Sequence, residues 1–193
     1  MCVLFSLTMN MMYLYSSIIK EYTLNFNDDV KKVTESLAPA TLRMYNILLE
    51  KLPATPKKFH YIFNLRDLGR VFEGLCLATT DHFDDPKKLV RLWRNEFNRI
   101  FCDRLIDDTD VSFVASTVED TIREFFPDSA DYALKDPQLF GDFEFAVDRI
   151  NEGAEDPRLY NDVGEISQVR KIFDTVLEAY NIDNQPMNLV LFE

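Results

Sequence analysis

A chain of 193 residues that is 47% hydrophobic and 13% aromatic can bury a sizeable core, which excludes a disordered chain and suits one domain or one and a half. A formal net charge of −12 argues against general affinity for nucleic acid or an anionic membrane surface, and leaves a basic protein face as the fitting partner. Sixteen phenylalanines and long runs of 3.6-residue periodicity, against five glycines and eight prolines, predict an all-α, mainly helical architecture. Cys2, Cys76 and Cys102 are odd in number and set in apolar surroundings, so they read as reduced, buried thiols of a cytosolic protein.

Residues 1–19 carry no charge and approach the length of a membrane span, but Ser6, Thr8, Asn10, Ser16 and Ser17 interrupt the run and no basic residue precedes it as a signal peptide requires. The expectation is a buried helix. Asn27 caps a short helix to about residue 37, and Pro39 suits the first turn of a second helix running to about 52, with Leu42, Met44, Tyr45, Leu48 and Leu49 inward. Pro53 and Pro56 end it, and a turn-rich connector leads to a short extended piece at 61–63.

At Asn64 a polar cap opens the central helix, which puts Leu65, Leu68, Val71, Phe72 and Leu75 on one face and Arg66, Asp67, Arg70 and Glu73 on the others. Arg66 and Arg70 stand four residues apart at the positive end of the helix, where like charges repel by roughly 0.2–0.5 kcal/mol. Arg70 has carboxylates three residues away on either side, Asp67 and Glu73, and is expected to pair with one of them. Arg66 has none at three or four positions, so it is either solvated or aimed at an anion outside this helix.

Asp84, Asp85 and Pro86 then start a helix to about residue 105, with Leu89, Trp93, Phe97, Ile100 and Phe101 as its buried stripe. Residues 87–104 hold Lys87, Lys88, Arg91, Arg94, Arg99 and Arg104 against only Glu96 and Asp103. Such a run either neutralises acidic neighbours within the chain or docks another module. A further helix is expected over 109–126, ending at Pro127. From 127 to 164 the chain is acidic and turn-rich, with one short helix around 143–151, and reads as a crossing connector. The last helix, about 164–180, lines up Ile166, Val169, Phe173, Val176 and Tyr180 as a narrow seam.

The chemistry-bearing patterns are few. A nucleotide triphosphatase needs a glycine-rich loop with Lys and Ser or Thr to wrap the phosphates, and Gly69, Gly74, Gly141, Gly153 and Gly164 do not supply that spacing. On its own residues, therefore, the chain is not expected to be an enzyme or to hold a cofactor. His60 and His82 lack metal or nucleophile partners in the pattern and read as structural, and no metal-ligand spacing occurs. The pairs Asp107–Asp108 and Glu119–Asp120 read as solvated.

The run at 60–75 (HYIFNLRDLGRVFEGL) resembles the start of the small helical lid subdomain in the third AAA+ module of dynein heavy chains, the axonemal, inner-arm-like ones in particular. Matches continue in order at 52–56 (LPATP), 92–105 (LWRNEFNRIFCDRL), 136–143 (DPQLFGDF), 157–160 (PRLY) and 187–192 (MNLVLF). The resemblance implies three parts: N-terminal helices at 1–36 left from the preceding AAA+ subdomain, a lid-like helical bundle at 37–126, and at 127–193 an extended acidic connector and C-terminal helix leading into the fourth module, which is cut short. It implies a non-catalytic section of an ATP-driven microtubule motor, with ATP or ADP and Mg as cofactors of the full motor. The implied partners are neighbouring AAA+ modules, dynein subunits and microtubules, with no nucleic acid or membrane, in the cytoplasm, cytoskeleton and ciliary axoneme. Arg66 falls at the family's second-sensor position, with Arg70 one turn on, which implies contact with the nucleotide held by the preceding subdomain. The alternative expectation is a standalone acidic helical interaction protein that binds a basic partner through residues 107–136.

Overall fold

The computed structural model describes residues 2–152 and 159–190. The side chain of Cys2, the glycine at 153, the Asp156–Pro157 turn and the last residues of the 187–192 match lie outside the described set. Eight α-helices against two strands of two residues each, among the described residues, make the chain all-α. The chain forms two compact units, Met1–Lys135 and Asp136–Glu193.

In the first unit α1 spans Cys2–Tyr22, α2 Asp28–Lys51, α3 Leu65–Leu75, α4 Pro86–Phe97, α5 Asp108–Phe125 and the single-turn α6 Ala130–Ala133. Asn27 caps α2 by accepting from the Val30 N–H, and Asp85 caps α4 with Pro86 in its first turn, as their side-chain chemistry requires. Two helices were expected on either side of Pro39, but α2 runs through it without a break. The proline's fixed φ is itself helical, so only one backbone bond is lost, and burial of Leu37, Ala38, Ala40 and Thr41 around it holds the helix together.

Trp93, Phe97 and Phe101 form the spine of the core. All three are fully buried, and Phe97 and Phe101 have ring centroids 4.7 Å apart. The indole N–H of Trp93 donates to Thr41 Oγ1 at 2.8 Å, and that hydroxyl in turn donates to the Leu37 carbonyl, so the one polar atom of the spine is satisfied. After Phe97 the helix widens into a π-helical turn, Asn98–Cys102, which keeps Ile100 and Phe101 inward. Leu68, Val71, Phe72 and Leu75 of α3 are buried as their spacing predicts, whereas Leu65 and, on α2, Leu49 remain exposed at the rim.

The first helix is a correction in part. Its sequence is apolar nearly all round, yet among its described side chains, from residue 9 onward, only Met11, Tyr15 and Ile19, one residue per turn, are buried, while Met9, Tyr13, Leu14 and Ile18 face out. No helix among the described residues is long and apolar enough to cross a membrane.

In the second unit β1 (Phe140–Gly141) pairs antiparallel with β2 (Asn161–Asp162), and α7 (Ala146–Glu152) is followed by α8 (Ile166–Asp183). The Phe143 ring packs on Phe173 at 4.9 Å. The rest of the α8 seam is half-buried, and Tyr180 is exposed.

Candidate helix-start anion site

The start of α3 is built from its own sequence. Asn64 is extended, and its side-chain oxygen accepts from the backbone N–H groups of Arg66 at 2.9 Å and Asp67 at 3.2 Å. Asp67 returns the bond, Oδ2 accepting from the Asn64 N–H at 3.0 Å, which completes a capping box. The carboxylate of Asp67 points inward and is 4% exposed.

A buried carboxylate needs a cation, and it comes from far along the chain. Arg104 forks onto Asp67, Nη2 to Oδ1 at 3.0 Å and Nη1 to Oδ2 at 3.4 Å. The same guanidinium donates to the carbonyls of Ile62 at 3.1 Å and Ile100 at 3.0 Å, and lies over the Phe63 ring. This corrects the pairing expected from spacing, in which Arg70 takes Asp67 or Glu73. Asp67 faces the bundle while Arg70 lies outside, so the fork from Arg104 wins. Arg66 and Arg70 are both exposed and, among the described residues, neither makes an ion pair.

Behind α3 a cleft of about 570 Å³ is walled by Arg70, Glu73, Gly74, Arg99, Asp103 and Arg104. Arg66 is not among its lining residues. Five of the six basic side chains of the 87–104 run, all but Lys87, are engaged within the chain. Arg91 and Arg94 donate to carbonyls at the end of α6, those of Tyr132 and Ala133, where cations complement the helix dipole. Arg99 pairs with the fully buried Glu96, and Lys88 with Asp84.

The connector is held by a second cluster. Lys58 reaches Asp110 and, at 3.1 Å, Asp107, while the Tyr61 hydroxyl donates to Asp110 at 2.9 Å. Asp107 also caps α5, accepting from the N–H and the hydroxyl of Thr109, and these bonds together with Lys58 lower its carboxyl to about 2. Two carboxylates of the expected acidic docking face are thus committed inside the chain.

Cys76 and Cys102 are free but half-buried rather than fully buried. Desolvation pushes the Cys102 thiol up to about 12, with Asp103 adding to the shift, which leaves it a poor nucleophile. His60 sits edge-on between Phe59 and Tyr61, and no cluster of metal-ligating side chains occurs among the described residues. Arg104 is the residue that local spacing missed. The signal that could have found it is the spacing of Asp67, four residues before Val71, which sets its carboxylate at the edge of the buried face, where it demands a partner from another element.

A bundle of this construction, with a capped central helix packed on a basic neighbour, is an AAA+ lid: the AAA+ lid domain profile matches residues 37–136, and the chain belongs to that family. The lid is of the dynein heavy-chain kind. The chain is 43% identical to human dynein axonemal heavy chain 10 over 180 residues, 93% of this chain and 4% of that protein. It is 39% identical over 188 residues to the dynein-1-alpha heavy chain of the flagellar inner arm I1 complex of Chlamydomonas reinhardtii, covering 95% of this chain and 4% of that protein. Human dynein axonemal heavy chain 2 is 32% identical over 183 residues, 93% of this chain and again 4% of that protein. The chain thus spans about 4% of the length of these relatives.

Proposed function

We propose that the chain serves as the lid of the third AAA+ module of a dynein heavy chain, where Arg66 reads the terminal phosphate of a nucleotide held by the preceding subdomain and couples nucleotide state to lid angle. The observation that carries this reading is the start of α3: an exposed guanidinium in the first turn of a capped helix, with no ion pair among the described residues. The donor set fits a phosphate oxygen and nothing more. Adenine, ribose and Mg contacts belong to the preceding subdomain, and ATP supplies the free energy of the motor as a whole. Arg70, exposed one turn on, adds positive charge to the same side. The neighbouring modules of the ring, and through them the microtubule, are the partners of this reading, and the ciliary axoneme its place. The match to axonemal heavy chains favours it over a standalone acidic adaptor.

The test is Arg66→Ala in a full-length heavy chain carrying this segment. Nucleotide affinity at the module is expected to fall about tenfold or more, the worth of one charge-assisted hydrogen bond, with the lid's melting temperature nearly unchanged. A variant that binds and couples nucleotide normally but melts much lower makes Arg66 structural and ends the reading.

A further inference from the structure

Asp67 follows Arg66 directly and is the acidic residue of the first turn of α3. A carboxylate there suits the helix but has the wrong sign for a phosphate, and left alone it would cancel the charge of Arg66. Capping does not need that charge, because Asn64 already accepts from two N–H groups and an amide oxygen at position 67 could return the bond to the Asn64 N–H. The charge on Asp67 instead matches Arg104. Arg104 is fixed in place by the fork to Asp67 and by two carbonyls, Ile62 and Ile100, on either side of it. Four of its five N–H donors are used within the bundle, on Asp67, Ile62 and Ile100, so it acts through its charge more than by reaching an outside anion.

We infer that Arg104 is a positioning residue for the Arg66 phosphate contact: its fork cancels the Asp67 carboxylate, leaving the start of α3 with one net positive charge toward an incoming phosphate. This rests on the reading of Arg66 given above. Arg104 also ties the segment before α3, through Ile62, to the π-helical turn, through Ile100, and so fixes where the first turn stands.

Affinity for a fluorescent ATP analogue, measured in a full-length heavy chain carrying this segment, tests it together with the melting temperature of the 193-residue chain. Arg104→Met is expected to weaken binding by about threefold to tenfold, through one lost charge near the phosphate. Asp67→Asn is the decisive variant. It breaks the same fork and lowers the melting temperature, yet it removes the opposing charge and is expected to bind more tightly than the parent. A merely structural pair would move affinity and melting together. An Asp67→Asn protein that binds no more tightly, or an Arg104→Met protein that binds as the parent does, overturns the inference while the Arg66 reading stands. Loss of any effect at Arg66→Ala removes that reading, and this inference with it.

Discussion

At Gly74 the space a side chain would take is already filled. A Cβ there would stand 2.0 Å from Glu96 Oε2, 2.4 Å from its Cδ and 2.7 Å from its Cγ. Glu96 is fully buried and held by Arg99 and Asn95, so the carboxylate cannot swing aside. In an open helix the change from glycine to alanine stabilises by roughly 0.5–1 kcal/mol, since glycine is the poorer helix former. Here the sign reverses. Gly74→Ala is expected to cost about 1–3 kcal/mol through overpacking, read as a lower midpoint in thermal or urea unfolding. A raised midpoint would mean that Glu96 is free to move. The same close approach explains why a carboxylate is tolerated at zero exposure: Gly74 makes room for it, and Arg99, three residues on, neutralises it.

Among the elements, what local chemistry controls was legible in the sequence. Asn27, Asn64 and the Asp85–Pro86 pair announce helix starts because their side chains satisfy backbone N–H groups within three residues, and the structure caps α2, α3 and α4 with them. The apolar face of α3 was legible for the same reason, except at Leu65, where the helix has not yet entered the core. Continuity through Pro39 and the π-helical turn at 98–102 were not, since both are decided by packing against distant helices. The Arg104–Asp67 fork spans 37 positions, so no window of helical spacing contains it. A similar long-range tie joins the connector to the start of α5. Asp107, with its carboxyl lowered to about 2 by Thr109 and Lys58, gives a pH signature. A group whose folded value is depressed stabilises the fold above its ordinary value near 4, and that contribution is lost as pH falls toward 2. The melting temperatures of the parent and Asp107→Asn are therefore expected to differ at pH 5 and to converge by pH 2. A difference that stays constant across that range would deny the carboxylate this role.

At the scale of the whole first unit, the core extends further toward the N-terminus than the 37–136 match to the lid profile. The stripe of α1 formed by Met11, Tyr15 and Ile19 is buried, and it grips the central helix at both ends. The Tyr15 ring stacks on Phe72 at 4.4 Å and its hydroxyl donates to the Leu65 carbonyl, while the Tyr22 hydroxyl donates to the Ala78 carbonyl just past the end of α3. Each buried apolar side chain of this kind contributes roughly 1.5–3 kcal/mol, and the stacked pair about 0.5–1.5 kcal/mol more. Their sum is comparable to the roughly 5–15 kcal/mol net stability of a whole domain, so α1 cannot be a passive leader to the bundle. Removing residues 1–22 is expected to uncover Phe72 and either lower the melting temperature sharply or abolish cooperative melting, while the far-ultraviolet helical signal persists in part. Near-ultraviolet circular dichroism would follow the loss of fixed aromatic packing. A chain starting at Thr23 that melts cooperatively at the parent's temperature would place α1 outside the core, and the helix carrying Arg66 would then owe its position to α2, α4 and the Arg104 fork alone.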